Sequence, residues 1–168
     1  MSITPEEVTE TLSMVSQQHL DLRTITMGIS LLGCADEDMG RMCEKVYERI
    51  VRTADQLVPV AAQLEREYGI PIANKRVSVT PMAQVAAACT DKDLTPLAQA
   101  MDHAAETLGI DFMGGFSALV QKGIGDADRR LINSIPEALA STTRVCSSVN
   151  VASLRAGINM DAVLLMRS

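Results

Sequence analysis

Residues 112–123, FMGGFSALVQKG, have the aromatic and apolar composition of a β-strand but carry two adjacent glycines, Gly114 and Gly115, inside it. Glycine in a strand interior lowers stability, so a glycine pair there usually marks a bulge or a place where a ligand or another backbone comes close. The stretch therefore predicts a strand that forms the floor of a site. Its residue types do not specify a reaction or a ligand.

Three further stretches, residues 22–32, 72–80 and 144–151, alternate as strands with two unlike faces do. One face of each is mainly apolar. The other face carries hydroxyl, amide and glycine positions with one guanidinium: Thr24, Thr26, Gly28 and Ser30, then Asn74, Arg76, Ser78 and Thr80, then Ser148 and Asn150.

Helical spacing and capping patterns predict a helix before the first strand and helices between all four strands. A helix starts at Thr4-Pro5, and a long one from about Met39 to Gly69 is kinked or divided by Pro59. Val8, Leu12, Val15 and His19 share a face of the first helix, and His19 is interpreted as a helix-end residue.

The later helices are predicted from cap residues. Thr80-Pro81 and Thr95-Pro96 cap two helices, Asp126 caps a helix that runs through residue 131, and Ser134-x-x-Glu137 caps a separate short one. A last helix begins after Asn159, beyond a loop over residues 152–158. These connections are too long for tight hairpins, so the strands should be parallel.

The fold class predicted is α/β, a partial parallel β/α barrel in a single domain over residues 1–168. Strands of an open doubly wound sheet are continuously apolar because both faces are covered, whereas each strand here keeps one polar face. Such a face suits the interior of a barrel wide enough to hold a site. The alternative is an antiparallel α+β sheet whose polar face meets water.

Composition narrows the classes of function. The chain is 47% hydrophobic with 2% aromatic residues, has a net charge of −6 and lacks a basic cluster with interleaved aromatics, which argues against nucleic-acid binding. The four cysteines have no Cys-x-x-Cys spacing, and Cys34 and Cys146 are interpreted as buried structural thiols. Neither a signal peptide nor a membrane span is recognised, so a cytoplasmic protein is expected.

Five blocks in order resemble one known family: ITMGISLL (25–32), IPIANKRVSVTP (70–81), GIDFMGGFSALVQKG (109–123), LINSIPEAL (131–139), and VCSSVN with GINMDAV (145–163). Together they are similar to the amino-terminal part of uncharacterised protein family 0210, also called domain of unknown function 711. The resemblance implies a ten-stranded barrel of the pyruvate formate-lyase and anaerobic ribonucleotide reductase type. Members of that family are more than twice as long, so an amino-terminal portion with exposed strand edges is expected.

The resemblance supplies no activity. The glycine-radical loop and the central-loop cysteine of a glycyl-radical enzyme are not identifiable in this sequence, and fold likeness does not carry function. The resemblance implies a small ACT-domain protein as a partner. A homo-oligomer is the other partner expected, because exposed strand edges pair readily with another chain. No cofactor is specified.

The candidate site is for a small anion, a carboxylate or phosphate. Basic residues lie on or beside the strand ends, and the helix starts after Thr80 and Asn159 offer backbone N–H groups. The predicted lining is Arg76, Ser78, Gly114, Gly115, Ser117, Lys122, Ser148, Asn150 and Arg155. Alternatively, the basic residues pair with acids from the rest of a longer family member.

Other chemistries are disfavoured. Residues 115–119, GFSAL, lack the second glycine of a nucleophile elbow, and no His-acid pair is available to activate Ser117. Two remote histidines, His19 and His103, do not predict a metal site. Two functions remain: a barrel enzyme or binder of an anionic metabolite, and a regulatory or scaffold protein that acts through a partner.

Overall fold

The computed structural model describes residues 4–16 and 22–167, and the predicted helix-end residue His19 lies outside them. The helices are α1 (Pro5–Ser16), α2 (Met39–Ala54), α3 (Leu57–Tyr68), α4 (Met82–Val85), α5 (Thr95–Leu108), α6 (Asp126–Ser141) and α7 (Met160–Leu165). The strands are β1 (Leu22–Ile29), β2 (Ile72–Val79), β3 (Phe112–Leu119), β4 (Val145–Asn150), β5 (Ala152–Ser153) and β6 (Gly157–Ile158).

Strands β1 to β4 form one parallel sheet in the order β1-β2-β3-β4, and β5 and β6 form a separate antiparallel hairpin. Each connection between neighbouring strands of the sheet passes through at least one helix. The α/β class and the parallel strands are therefore confirmed, and the antiparallel alternative is wrong. The four strands in the described part of the chain do not by themselves form a closed barrel.

The core lies between one face of the sheet and a layer made by α2, α5 and α6. Helix α5 contacts both α2 and α6, and all three contact the strands. Val46 and Ile50 of α2, Met101 of α5 and Leu131 of α6 are completely buried. Their spacing gives each helix one apolar stripe toward the sheet. Burial of each such side chain contributes about 1.5–3 kcal/mol to stability.

The glycine pair marks a bulge in β3. The register with β4 shifts between Gly114 and Phe116, so Gly115 is the extra residue. Gly115 has φ of 120°, and a Cβ atom there would overlap Val79 Cγ2 and lie 2.8 Å from Val79 O. The missing side chain is thus explained by close packing against β2.

The division of the long helix is confirmed, but upstream of Pro59. Helix α2 ends at Ala54 and α3 begins at Leu57, which places Pro59 in the first turn of α3. Proline is tolerated there because the first N–H groups of a helix have no intrahelical partner. Gly69 ends α3 in the left-handed conformation, as predicted.

The prediction of two helices over residues 126–141 is wrong, because α6 is continuous. Ser134 does not cap a helix. Its Oγ donates to Arg130 O (2.8 Å) and accepts from Leu94 N (2.9 Å), so it links α6 to the turn before α5. A serine hydroxyl is compatible with a helix interior when it bonds to the carbonyl four residues earlier. The N-cap of α6 is Gly125 and not the predicted Asp126. The N–H group of Gly125 donates to Asp128 Oδ2 (2.9 Å).

The two threonine caps are also wrong. Thr80 Oγ1 accepts from Leu31 N (3.1 Å), which joins the end of β2 to the end of β1 instead of capping α4. Thr95 is the first residue of α5, and its N–H donates to Asp93 Oδ1 (2.9 Å). At α5 the Asp93 carboxylate thus accepts from an N–H group at the helix start, whereas α4 begins without a side-chain cap. The cap at Asn159 is confirmed, since its side chain accepts from Ala162 N.

Candidate functional site

The face of the sheet opposite the core is polar and largely exposed. Residues paired across a parallel ladder point to the same side, and the ladder pairs Thr26 with Arg76, Gly28 with Ser78, Ser78 with Gly114, and Gly114 with Cys146. Ser78 is exposed while its neighbours Val77 and Val79 in β2 are buried. The polar faces predicted for separate strands therefore lie on one common side, the polar face of the sheet.

Arg76 is fixed on this polar face by an aromatic ring. Its guanidinium carbon lies 5.1 Å from the centre of the Phe112 ring, which is within the range of a cation–π contact. No acid within the described residues forms an ion pair with it. Its N–H groups are available to an anion.

Ser148 and Asn150, which the sequence predicts to line the site, are exposed on β4, and Ser117 pairs with Ser148 in the ladder. Ser117 is only 8% exposed, and its Oγ donates to Gly115 O at 3.4 Å. Asn150 Oδ1 accepts from Ala152 N at 3.4 Å. Of the paired residues Ser117 and Ser148, only Ser148 has an exposed hydroxyl.

The nine predicted site residues do not surround a single small ligand. Arg76 is paired with Phe112 at the start of β3, whereas Lys122 follows the end of β3 at Leu119. Seven residues of strand span about 23 Å. Arg155 is exposed in the turn between β5 and β6. The predicted set therefore divides into the polar face and the carboxyl edge of the sheet.

A cavity of about 300 Å³ lies at that carboxyl edge and is called the rim pocket here. It is formed by the loop after β3, the first turn of α6 and the start of α7. Its lining residues are Gln121, Lys122, Gly123, Ile124, Arg129, Asn159 and Asp161. In open α/β sheets, ligands bind outside the carboxyl ends of the strands, which is where this pocket lies.

Asn159 holds the walls of the rim pocket together. Its Nδ2 donates to Val120 O at the end of β3 (2.7 Å), and its Oδ1 accepts from Ala162 N in α7 (3.3 Å). One side chain thereby fixes the loop after β3 against the start of α7. Its own polar atoms are satisfied, so its role is to position the pocket.

Two cations and one carboxylate give the rim pocket its charge. Lys122 and Arg129 form no ion pair with an acid among the described residues, and Asp161 lines the same cavity. The pocket thus carries one net positive charge. Gln121 adds an Oε1 atom that is buried and has no hydrogen-bond partner in the described part of the chain.

Arg129, Gln121 and Asp161 were missed by sequence reasoning. Gln121 stands next to Lys122 in the stretch FMGGFSALVQKG, but a strand extending to residue 123 would have pointed the two side chains to opposite faces. Because β3 ends at Leu119, both belong to a loop and line the same cavity.

The prediction that Cys146 is a buried structural thiol is wrong, whereas the same prediction for Cys34 is confirmed. Cys146 is exposed on β4, and Cys34 is buried beside α2. Burial raises the pKa of the Cys34 thiol, although Arg49, Lys45 and Arg52 lower it. Cys34, which is 6% exposed, therefore packs as a structural thiol.

Neither a metal-ligand cluster nor a membrane-spanning helix occurs among the described residues. Within residues 4–16 and 22–167, no group of three or more His, Cys, Asp or Glu side chains is arranged to hold a metal ion. In the same residues, every helix is too short or too polar to cross a bilayer.

Comparison with known proteins decides the family. The family model described as "Uncharacterised ACR (DUF711)" matches residues 13–168. The chain belongs to the DUF711 family. This DUF711 chain is 59% identical over 166 residues to a "UPF0210 protein" of Syntrophotalea carbinolica, in a match that covers 99% of this chain and 37% of that relative.

Further relatives agree. A "UPF0210 protein" of Ligilactobacillus salivarius is 59% identical over 157 residues, or 94% of this chain and 35% of the relative. A "UPF0210 protein" of Pelobacter propionicus is 57% identical over 166 residues, which cover 99% of this chain and 37% of the relative. The DUF711 chain thus spans little more than a third of the length of these curated relatives, and no function is assigned by the family name.

Proposed function

We propose that this DUF711 chain binds a small anionic metabolite, a carboxylate or phosphate, in the rim pocket. The observation that carries the proposal is the pair Lys122 and Arg129, two cations without an acidic partner in the described part of the chain, in a cavity at the carboxyl ends of parallel strands. An anion between them forms charge-assisted hydrogen bonds, which are stronger than neutral ones.

The polar face suits the interior of a larger barrel, and we include the ten-stranded pyruvate formate-lyase type in the proposal. Its support is the sequential order of four parallel strands with the packed helices on the core side and polar groups on the other. In such a barrel Arg76 and Ser78 would face the interior, and the rim pocket would open at its mouth. A structure of a full-length relative tests this, because a further parallel strand must pair with the free edge of β4.

Anion binding is tested on the purified chain with succinate and inorganic phosphate as probes, at constant ionic strength so that general screening is held fixed. We expect both probes to raise the melting temperature in a saturable manner. Lys122→Met should weaken the apparent affinity about tenfold, because it removes a charged hydrogen bond while keeping the length of the side chain.

The matched control is Lys92→Met, since Lys92 is exposed and lies outside the rim pocket. This variant should respond to both probes as the wild-type chain does. A wild-type chain that neither probe stabilises, or a Lys122→Met chain that responds fully, contradicts the proposal.

A second candidate function, contact with a protein partner, is favoured by a different observation. Large apolar side chains are exposed on the β5–β6 hairpin and α7, and we call this group the C-terminal apolar surface: Leu154, Ile158, Met160, Val163, Leu164 and Met166. Contiguous exposed apolar residues mark interaction surfaces more often than isolated ones do. The partners proposed are a second copy or an ACT-domain protein.

A further inference from the structure

Strand β1 lies at an edge of the sheet. It pairs with β2 on one side, and no described residue pairs with its other side, which is called the outer edge of β1 here. Ile29 O points toward β2, where it accepts from Thr80 N (3.2 Å). Backbone groups alternate in direction along a strand. The N–H and C=O groups that point away from β2 are therefore those of Thr24, Thr26 and Gly28.

The outer edge of β1 lacks the features that usually prevent a strand edge from pairing. Such edges normally carry proline, lysine or a bulge, because a row of unpaired backbone groups binds another strand readily. β1 contains neither proline nor lysine, and its register with β2 does not shift. Arg23, near the start of the strand, is the one charged residue from Leu22 to Ile29. The middle of the edge is thus open to a partner strand.

The strand is complementary to itself in an antiparallel register centred on Thr26. A two-fold axis at this position places Thr26 opposite Thr26 of the second copy and Thr24 opposite Gly28. These are the residues whose backbone groups point outward, so each opposed pair exchanges two hydrogen bonds. A slip of one residue would place outward-pointing groups opposite inward-pointing ones, which excludes the neighbouring registers.

The side chains also match in this register. Thr26 lies beside its own copy on the polar face, and threonine pairs across antiparallel strands are favourable. On the core side, Ile25 lies beside Met27 of the second copy, and pairing covers the apolar surface that these half-buried residues still expose. Like charges do not meet, because Arg23 lies opposite Ile29 and the two Arg23 side chains are at opposite ends of the paired segment.

We infer that the chain forms a two-fold dimer in which the outer edge of β1 pairs antiparallel with the same edge of a second copy. The two four-stranded sheets then become one sheet with a continuous polar face. This inference concerns a surface other than the rim pocket and the C-terminal apolar surface and depends on neither. Because one strand from each copy makes the contact, the interface is small and a Kd of about 10 µM is expected.

Opposite charges at the two-fold position test the pairing. Sedimentation equilibrium of the wild-type chain should show the dimer. Thr26→Lys alone and Thr26→Glu alone each place like charges opposite one another, so each should raise the Kd about tenfold or more. An equal mixture of the two variants should form a mixed dimer with a Kd no higher than that of wild type, because lysine then lies opposite glutamate. A change in folding of either variant could not produce this rescue.

Thr26→Pro provides an independent variant. It removes an outward-pointing N–H group but no hydrogen bond to β2, and proline is accommodated at such edge positions. It should raise the Kd about tenfold as well. Circular dichroism should show that the variant keeps the wild-type secondary structure.

Thr53→Lys and Thr53→Glu are the matched controls, because Thr53 is exposed on α2 and lies outside β1. Alone or mixed, they should dimerise as the wild-type chain does. Replacing both Leu154 and Leu164 by Gln should remove only association beyond the dimer, since these leucines belong to the C-terminal apolar surface.

Four outcomes overturn the inference. They are a wild-type chain that stays monomeric at about 1 mM, a dimer that Thr26→Lys leaves intact, a mixture of the two charged Thr26 variants that stays monomeric, and loss of the dimer in the Leu154 and Leu164 double variant. The last outcome would assign the dimer to the C-terminal apolar surface. Anion binding in the rim pocket is measured separately and stands or falls without the dimer.

Discussion

Gly115 shows how one residue serves the architecture instead of the ligand. A glycine pair inside a strand predicts a bulge or a close approach, and the structure has both at this position. The group that approaches is the backbone and side chain of Val79. The bare backbone is therefore required by packing between β2 and β3, and the anion proposal does not depend on it.

Gly115→Ala should lower the free energy of unfolding by about 2–4 kcal/mol, because the added Cβ meets Val79 and the φ of 120° disfavours any side chain. Urea denaturation measures the change. Gly28→Ala is the matched control: Gly28 lies on the polar face, and no atom lies within 4 Å of the place that its new methyl group would take, so stability should change by less than about 1 kcal/mol. Equal stability for the two variants would rule out the packing explanation.

At the scale of elements, the β1–α2 connection depends on one carboxylate. Asp36 accepts from Arg41 Nη2 (2.8 Å) and Lys45 Nζ (2.6 Å), and its Oδ1 also accepts from Asp38 N (3.0 Å). The side-chain hydrogen bond from Arg41, then that from Lys45, holds the pKa of Asp36 well below its ordinary value. The loop is thereby fixed to the first turns of α2, where Asp38 forms the N-cap.

Asp36→Asn should destabilise the chain at neutral pH but much less in acid. A folded-state pKa below the unfolded value of about 3.9 gives stability that is fully present above that value and is lost as the pH falls through the folded pKa. The difference in free energy of unfolding between wild type and variant should thus be constant from pH 7 to about 5 and shrink below about 4.

Urea denaturation at a series of pH values measures this difference. Glu48→Gln changes an exposed glutamate of α2 whose side chain forms no ion pair with a described residue, and it should give a small difference at every pH. A difference for Asp36→Asn that stayed flat down to about pH 2.5 would show that the ion pairs with Arg41 and Lys45 are not the cause.

At the scale of the whole molecule, the two sides of the sheet have different roles. One side is buried under α2, α5 and α6, and the other keeps polar groups exposed. The C-terminal apolar surface departs from this division, since Leu154 is fully exposed and Ile158 and Leu164 are 66% and 60% exposed. These side chains add nothing to the core that the structure describes.

Replacing Leu154 and Leu164 together by Gln should leave the free energy of unfolding within about 0.5 kcal/mol of wild type per site, because neither is buried. The same variant should bind less of an apolar fluorescent dye and self-associate less in sedimentation. Leu32→Gln, at an exposed leucine after β1, is the control and should change neither readout. A large loss of stability in the double variant would mean that these residues belong to the core.

Local patterns predicted most of the elements correctly. Alternation located β1, β2 and β4 and the side to which their polar residues point, because the period of a strand is fixed by its backbone geometry. The sequence also identified Gly69 and Asn159 as helix caps from their residue types, because a cap bonds only to peptide groups within a few residues of itself. The errors among the predicted caps fall at Thr80, Thr95, Asp126 and Ser134, because the bonding partners of these residues, or of the helix ends beside them, were misassigned.

The sequence by itself determined the parallel α/β class and the two-faced strands, because these follow from periodicities and local conformations that are set within a few residues. Its five ordered blocks also identified the family, by resemblance to known members. Only the tertiary structure decided the site. It ended β3 before Gln121, brought Arg129 and Asp161 beside Lys122, and separated them from Arg76 by the length of a strand. Such neighbours are set by how helices and strands pack across long sequence separations, which no local pattern records.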